Sequence, residues 1–364
     1  MADTYASDHS LYLQRAFFLV AHTFTHFAVD FACYFVLMSN RWTAPWPYVA
    51  LVYVTIAFGT QLLIGMAADR FPKLPVACAG IALIAAVLIR RVIVGPDAVM
   101  PLAGLIVMAA GNALFHAYAG RSVLKHHTWT ANGIFNGAGG FGLVLGTYMG
   151  LQRLPYAVPL VIALIAAAIE AAVIVQCARG TLVLTEHDRT SAPDRYTLRD
   201  AGTGGWLAAV LVTLAASVVT EWVLQWSTPA VDPQHGTYLI VGAMVWGFKI
   251  VGSRVFERAH RPWHIVGVTG LCWILTLLSP GWPPLCWIAF ALIISINLIP
   301  LYGFKYAFPK RPGFAFGLNK LGLTIAFLLL FMGRTHTRHM VAITCLLILS
   351  ILAVVLTQRK GADA

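Results

Sequence analysis

The chain has 364 residues, of which 59% are hydrophobic and 11% charged, with a mean hydropathy of +0.77 and a formal net charge of +11. A soluble domain carries about 25% charged residues, so this chain lacks the polar surface that water demands and is read as a polytopic membrane protein. The positive charge collects in short loops between apolar stretches, a pattern set by topology that excludes a nucleic-acid-binding face.

A membrane-crossing helix needs roughly 20 apolar residues whose backbone is satisfied internally. Twelve stretches qualify: 12–38, 46–68, 74–94, 98–122, 131–152, 155–177, 204–226, 236–256, 263–280, 284–304, 314–333 and 339–358. Residues 1–10 are polar and lack a basic leader segment, so the first stretch is expected to remain in the mature protein. Most Lys and Arg fall on one side of this layout if the N-terminus is cytoplasmic, which predicts both termini inside and an even number of spans. The six cysteines lie in or beside apolar stretches without a Cys-x-x-Cys pair, so no disulfide or zinc site is indicated.

In chain order, the first span carries His22, His26 and Asp30 at i, i+4 and i+8, spread along one helical face. An ionisable side chain at membrane depth is costly and is a functional candidate by default. An acid beside an imidazole in low dielectric can exchange a proton, so His22, His26 and Asp30 are the predicted proton-coupling residues, with Asp30 foremost. The alternative is a polar patch that only joins helices. The second span ends in Gly65-Met66-Ala67-Ala68-Asp69-Arg70-Phe71-Pro72-Lys73. The fourth carries Asn112 and His116, followed by Arg121; a packed histidine is the competing reading of His116. The fifth is rich in glycine, with Gly142, Gly146 and Gly150 forming a stripe for close helix packing, and holds Asn136.

After the sixth span comes the one long polar loop, so the chain divides into 1–178, a cytoplasmic linker at 179–203, and 204–364. The second half repeats features of the first. Ser253…Glu257-Arg258 matches Gly65…Asp69-Arg70, and Asn297 with Gly317-Leu318-Asn319 matches Asn112 with Gly133 and Asn136. Glu221, Trp222, Lys249, Asn297, Asn319 and Lys320 are the candidate cavity residues of this half. Each lysine either meets an anionic group or Glu221, or snorkels to the interface.

The segment Gly65–Lys73 resembles the loop signature between the second and third spans of the major facilitator superfamily. That resemblance implies two six-helix halves. It also implies that Gly65 permits close packing, that Asp69 meets the positive end of the eleventh helix, and that Arg70 pairs with an acid across the gate. Residues 20–150, through His26-Phe27-Ala28-Val29-Asp30, Gly111-Asn112-Ala113-Leu114-Phe115-His116 and the glycine-rich stretch from Gly133 to Gly142, are similar to the fosmidomycin-resistance branch of drug/proton antiporters. The chain departs from that branch in carrying Ala117-Tyr118 and Gly146-Thr147 where Pro-Glu and Gly-Pro are usual.

The expected function is secondary active transport by alternating access, as proton-coupled efflux of a small organic compound. The expected protein is a monomer in a bacterial inner membrane, whose partners are solute, protons and lipid, with no cofactor and no bound metal. A second possibility is a transition-metal or metal-chelate importer using His22, His26 and His116 with Cys33 and Met38. A third, a membrane enzyme or sensor, lacks a nucleophile–base set or an HExxH pattern in the sequence.

Overall fold

A computed structural model of the chain describes residues 2–40, 42–72, 75–179, 202–227, 231–259, 263–282, 284–330 and 336–358. Among them the chain is helical, apart from turns and one isolated bridge between Trp42 and Met100. Six of the seven helices of the first half are α1 (Ala2–Ser39), α2 (Trp46–Val54), α3 (Gln61–Arg70), α4 (Val76–Val94), α5 (Leu102–His126) and α6 (Trp129–Leu151); α7 (Ala157–Ala178) completes it. The second half comprises α8 (Gly202–Ser227), α9 (Tyr238–Ala259), α10 (Trp263–Leu278), α11 (Pro284–Ile296), α12 (Ile299–Ala307), α13 (Pro312–Leu330) and α14 (His336–Gln358). These fourteen helices make twelve spans, because α2 with α3 and α11 with α12 each form one interrupted span. Of the linker expected at 179–203, residues 180–201 lie outside the described residues.

Both interruptions have local causes. Between α2 and α3 the helix widens into a π-turn at Thr55–Gly59. There Thr60 Oγ1 donates to the Ile56 carbonyl at 2.6 Å and Gln61 Nε2 to the Ala57 carbonyl at 2.6 Å, so side chains satisfy carbonyls that the wider turn loosens. Between α11 and α12, Pro300 has no N–H to offer the Ile296 carbonyl, and the helix breaks at Asn297–Leu298. The sequence reading treated both spans as uniform.

Nine stretches among the described residues are long and apolar enough to cross a bilayer, and two shorter apolar helices run Ile265–Leu278 and Met340–Ile351. The remaining span, α6, is diluted by its glycines and by Asn132 and Asn136. It packs between α1 and α9 and need not be greasy on every side. Gly142, Gly146 and Gly150 lie against the backbone carbonyls of Phe27, Phe31 and Phe35 on α1, where a Cβ would overlap them. On its other side Gly133, Gly137 and Gly140 receive Ser253, Trp246 and Val245 of α9. Large apolar side chains such as Val20, Leu63 and Ile93, exposed by 67%, 68% and 78%, form the lipid-facing surface.

The two halves meet along α6 with α9 and along α3 with α13. Arg91, near the end of α4, is fully buried. It donates to the Ala98 and Pro96 carbonyls at 2.7 and 2.8 Å and stacks on Tyr156.

Candidate functional site

Midway along α1, three buried side chains from two helices converge. His26 Nε2 lies 3.2 Å from Asp30 Oδ2, and His116 Nε2 on α5 lies 3.3 Å from Asp30 Oδ1. The two imidazoles meet with their Nε2 atoms 2.8 Å apart. The i, i+4 spacing that the sequence supplies aligns His26 with Asp30 on α1, and the α1–α5 crossing brings in His116.

The other ring nitrogens fix the protonation pattern. His26 Nδ1 is 2.8 Å from the Phe135 carbonyl, and His116 Nδ1 is 2.9 Å from the Asn112 carbonyl. A carbonyl oxygen only accepts, so both Nδ1 atoms carry hydrogen. In the neutral rings both Nε2 atoms are then lone pairs. Two lone pairs and a carboxylate therefore point at one another, three acceptors with no donor among them. Such a cluster is stable only around an added cation, of which a proton between the two Nε2 atoms is the smallest.

The neighbours tighten this arrangement. Asn112 Nδ2 donates to Tyr53 OH at 3.0 Å and reaches Asp30 Oδ1 at 3.4 Å. Gly139 of α6 lies directly beneath, where a Cβ would overlap both His26 and the Asp30 carboxylate. Tyr53 and the Phe135 carbonyl were not singled out in the sequence, and Gly139 stood out only as part of the glycine-rich stretch of the fifth span. Tyr53 is one of several hydroxyls in an apolar run, with Tyr48 and Thr55 beside it, and a carbonyl leaves no trace in residue type.

His22 does not join the cluster. At 3.6 residues per turn, eight residues carry it about 80° around α1 from Asp30. Its Nδ1 faces Glu170 Oε1 on α7 at 3.6 Å, and its ring stacks on Phe18 at 4.0 Å. That contact also gives Glu170, an acid in the apolar sixth span, a partner.

The second half contributes charges opposite the cluster. Lys249 on α9 and Lys320 on α13 are near enough to Glu221 on α8 and to Asp30 for their charges to interact. Both are half-buried, and Lys320 Nζ sits 5.2 Å from the centre of the Phe316 ring. Among the other sequence candidates, Asn319 accepts from Ser217 Oγ at 3.2 Å. Asn136 Nδ2 folds back onto the Asn132 carbonyl of its own helix at 2.9 Å. Asn297 sits at the α11–α12 break with Nδ2 buried and no hydrogen-bond partner. Trp222 packs on the α10–α14 side of its half, against the cluster containing Val223 and Cys272.

At the end of the bundle bearing the loop after the second span, two carboxylates each grip a helix of the opposite half. Asp69, at the end of α3, accepts from the Gly313 and Phe314 amides of α13 at 2.9 Å each and from Arg121 Nε at 3.0 Å. Glu257, near the end of α9, accepts from the Thr130 amide of α6 at 2.9 Å and from the Thr130 hydroxyl. A Cβ at Gly65 would overlap the Gly313 carbonyl. Arg121, expected in the cavity, thus belongs to this grip. Arg70, expected to pair across it, is exposed over Phe71, and Arg258 is exposed as well. Lys73 lies outside the described residues.

No family profile and no curated protein matches the sequence. The architecture does match solved structures. A major facilitator superfamily transporter, FucP, in its outward conformation aligns at TM-score 0.56 and 14% identity, over 93% of this chain and 97% of that one. A variant of the Escherichia coli fucose:proton symporter FucP aligns at 0.58 and 15%, over 93% and 97%. A bacterial homologue of the iron transporter ferroportin, outward-facing, aligns at 0.58 and 14%, over 96% and 99%. The fold is that of the major facilitator superfamily.

In the major facilitator fold the halves are parallel repeats, and here the repeat extends to atomic contacts. A Cβ on Gly133 of α6 would lie 2.7 Å from the Lys249 carbonyl of α9, and one on Gly317 of α13 would lie 2.7 Å from the Gln61 carbonyl of α3. Lys249 precedes Ser253 by four residues, as Gln61 precedes Gly65. The two carboxylate grips, Asp69 on α13 and Glu257 on α6, are therefore equivalent positions of the repeat.

Proposed function

We propose that this protein is a proton-coupled secondary transporter that moves a small organic compound by alternating access, with efflux from a bacterial cytoplasm as its direction. The observation that carries this reading is the convergence of His26 Nε2, His116 Nε2 and the Asp30 carboxylate with no donor among them. The fold supports transport, and among proteins sharing it the FucP symporter is named for moving fucose with protons.

In this reading both termini and the Asp69 and Glu257 grips face the cytoplasm of the inner membrane, and the protein works as a monomer with halves 1–178 and 204–364. The grips close the cytoplasmic end. The hold on α13 runs through α3 and the π-turn and thins toward α2, while α6 and α9 stay packed as far as Gln152 and Gln234 at the opposite end. A proton entering from outside bridges His26 and His116 and cancels the Asp30 charge. The cluster then becomes neutral and cheap to carry through the occluded state. Lys249, Lys320 and Glu221 face it from the other half and are the groups that a solute in the cavity meets.

The test is tolerance of an efflux-deficient bacterium to a panel of toxic small molecules, with the parent and Asp30→Asn at equal membrane abundance. Protection by the parent that Asp30→Asn lacks supports the reading and gives the solute class. Protection that Asp30→Asn retains in full would remove Asp30 from coupling, and sensitisation by the parent would reverse the direction to uptake.

A further inference from the structure

The separations within the cluster are those between ligands on one metal ion. With metal–nitrogen and metal–oxygen bonds of about 2.0–2.2 Å, neighbouring ligands in octahedral or tetrahedral geometry stand about 2.8–3.6 Å apart. The observed separations are 2.8, 3.2 and 3.3 Å, and the three donor groups lie within 4.8 Å of one another. Both imidazoles also have the support typical of metal ligands. Each gives its Nδ1 hydrogen to a main-chain carbonyl, of Phe135 and of Asn112, which fixes the tautomer and aims Nε2 inward. A fourth donor is within reach: Asn112 Oδ1 is buried without a hydrogen-bond partner, and its Nδ2 is 3.4 Å from Asp30 Oδ1, so turning the amide over would present the oxygen to the ion.

We propose that His26 Nε2, His116 Nε2 and the Asp30 carboxylate bind one divalent first-row transition-metal ion, with Asn112 as a neutral fourth donor. Two imidazoles and a carboxylate suit Zn²⁺, Co²⁺, Ni²⁺ or Fe²⁺. Mg²⁺ and Ca²⁺ prefer oxygen alone, and Cu⁺ prefers sulfur. Of the donors expected from the sequence, the set keeps His26 and His116, adds Asp30, and leaves out His22, Cys33 and Met38. His22 turns to Glu170, and Cys33 lies beside Asn112 and Tyr53, outside the triad. The inference rests on the reading that this triad is the transporter's cation site, and it adds a class of ion that occupies the site in place of the bridging proton.

The experiment is a Co²⁺ titration of the tag-free full chain in lipid nanodiscs, followed by visible d–d absorption and by displacement with Zn²⁺. The expected result is one saturable equivalent in the parent, with a rise in melting temperature on loading. His116→Gln and Asp30→Asn should lose affinity by more than the ~10–100-fold that a lost second-shell partner costs. His22→Gln should bind as the parent does. The isosteric Asp30→Asn guards against a variant that fails to fold, because its own melting temperature without metal is read alongside. Absence of a saturable equivalent in the folded parent, or undiminished binding in His116→Gln, overturns the proposal. Its failure is separate from failure of the transport reading, which is read in the tolerance panel above and not in metal binding.

Discussion

Asp69→Asn is the perturbation whose size the structure sets most clearly. The carboxylate accepts two main-chain hydrogen bonds from the first turn of α13 and one from Arg121, all at 2.9–3.0 Å. The amide keeps the shape, removes the charge and turns one acceptor into a donor. Hydrogen bonds to a charged group are worth ~1.5–3 kcal/mol, against ~0.5–1.5 for neutral ones. The negative charge at a helix N-terminus adds ~0.3–1 kcal/mol. Discounting for partial solvent screening, the loss is about 2–3 kcal/mol. The Gly313 and Phe314 bonds join opposite halves, whereas the Arg121 bond stays within the first half, so the share carried by the two main-chain bonds, about 2 kcal/mol, falls on the state closed at this end and lowers the ratio of closed to open by about 30-fold. The assay is electron–electron resonance between spin labels at Met66 and Lys310, both exposed on the two sides of the grip. The six native cysteines are replaced by alanine for this purpose. The parent should give one short distance, and Asp69→Asn should add a dominant longer one. An unchanged distribution in a folded variant would refute the assignment of Asp69 as a clasp between the halves.

Glu257→Gln should open the same end to a smaller degree, since the carboxylate holds one amide and one hydroxyl, both of Thr130, and the same labels would read it. Gly139→Ala should force His26 and Asp30 apart, with an overpacking cost of ~1–3 kcal/mol; the expected outcome is loss of tolerance at normal membrane abundance, with a lower melting temperature. His22→Gln should leave Asp30-dependent protection intact, because its ring meets Glu170 and not the triad; loss of protection equal to that of Asp30→Asn would place His22 in the coupling path.

Much of the fold was legible because the bilayer imposes a blunt rule of length and apolarity on each span. All twelve stretches correspond to helices within a few residues, although α1 begins at Ala2, well before the expected start. The interruptions at Thr55–Gly59 and Asn297–Leu298 were less visible, since a π-turn has no residue signature and a proline can end, bend or begin a helix. Within the site, His26 and Asp30 were readable because i, i+4 spacing is local, whereas His116 was a candidate only through the resemblance, which implies that the first and fourth spans both line the central cavity. His22 was misplaced because helical drift over eight residues is large enough to reach a different neighbour. Arg121 was placed in the cavity on its position near a span end, but the nearest anion is Asp69 at the junction of the halves. Contacts made by backbone, such as the Phe135 carbonyl on His26 or Gly139 beneath Asp30, depend on packing that one sequence does not display.

Proton coupling at this site requires that a cation, in the resting protein a proton, is shared between His26 and His116 beside Asp30. The most direct measurement is nitrogen NMR of ¹⁵N-histidine-labelled protein in nanodiscs, with the two rings assigned through His26→Gln and His116→Gln. Sharing of one proton predicts hydrogen on both Nδ1 atoms and a scalar coupling between the two Nε2 atoms, lost in Asp30→Asn. Rings that carry hydrogen on Nε2 and none on Nδ1, with no coupling between them, would contradict it.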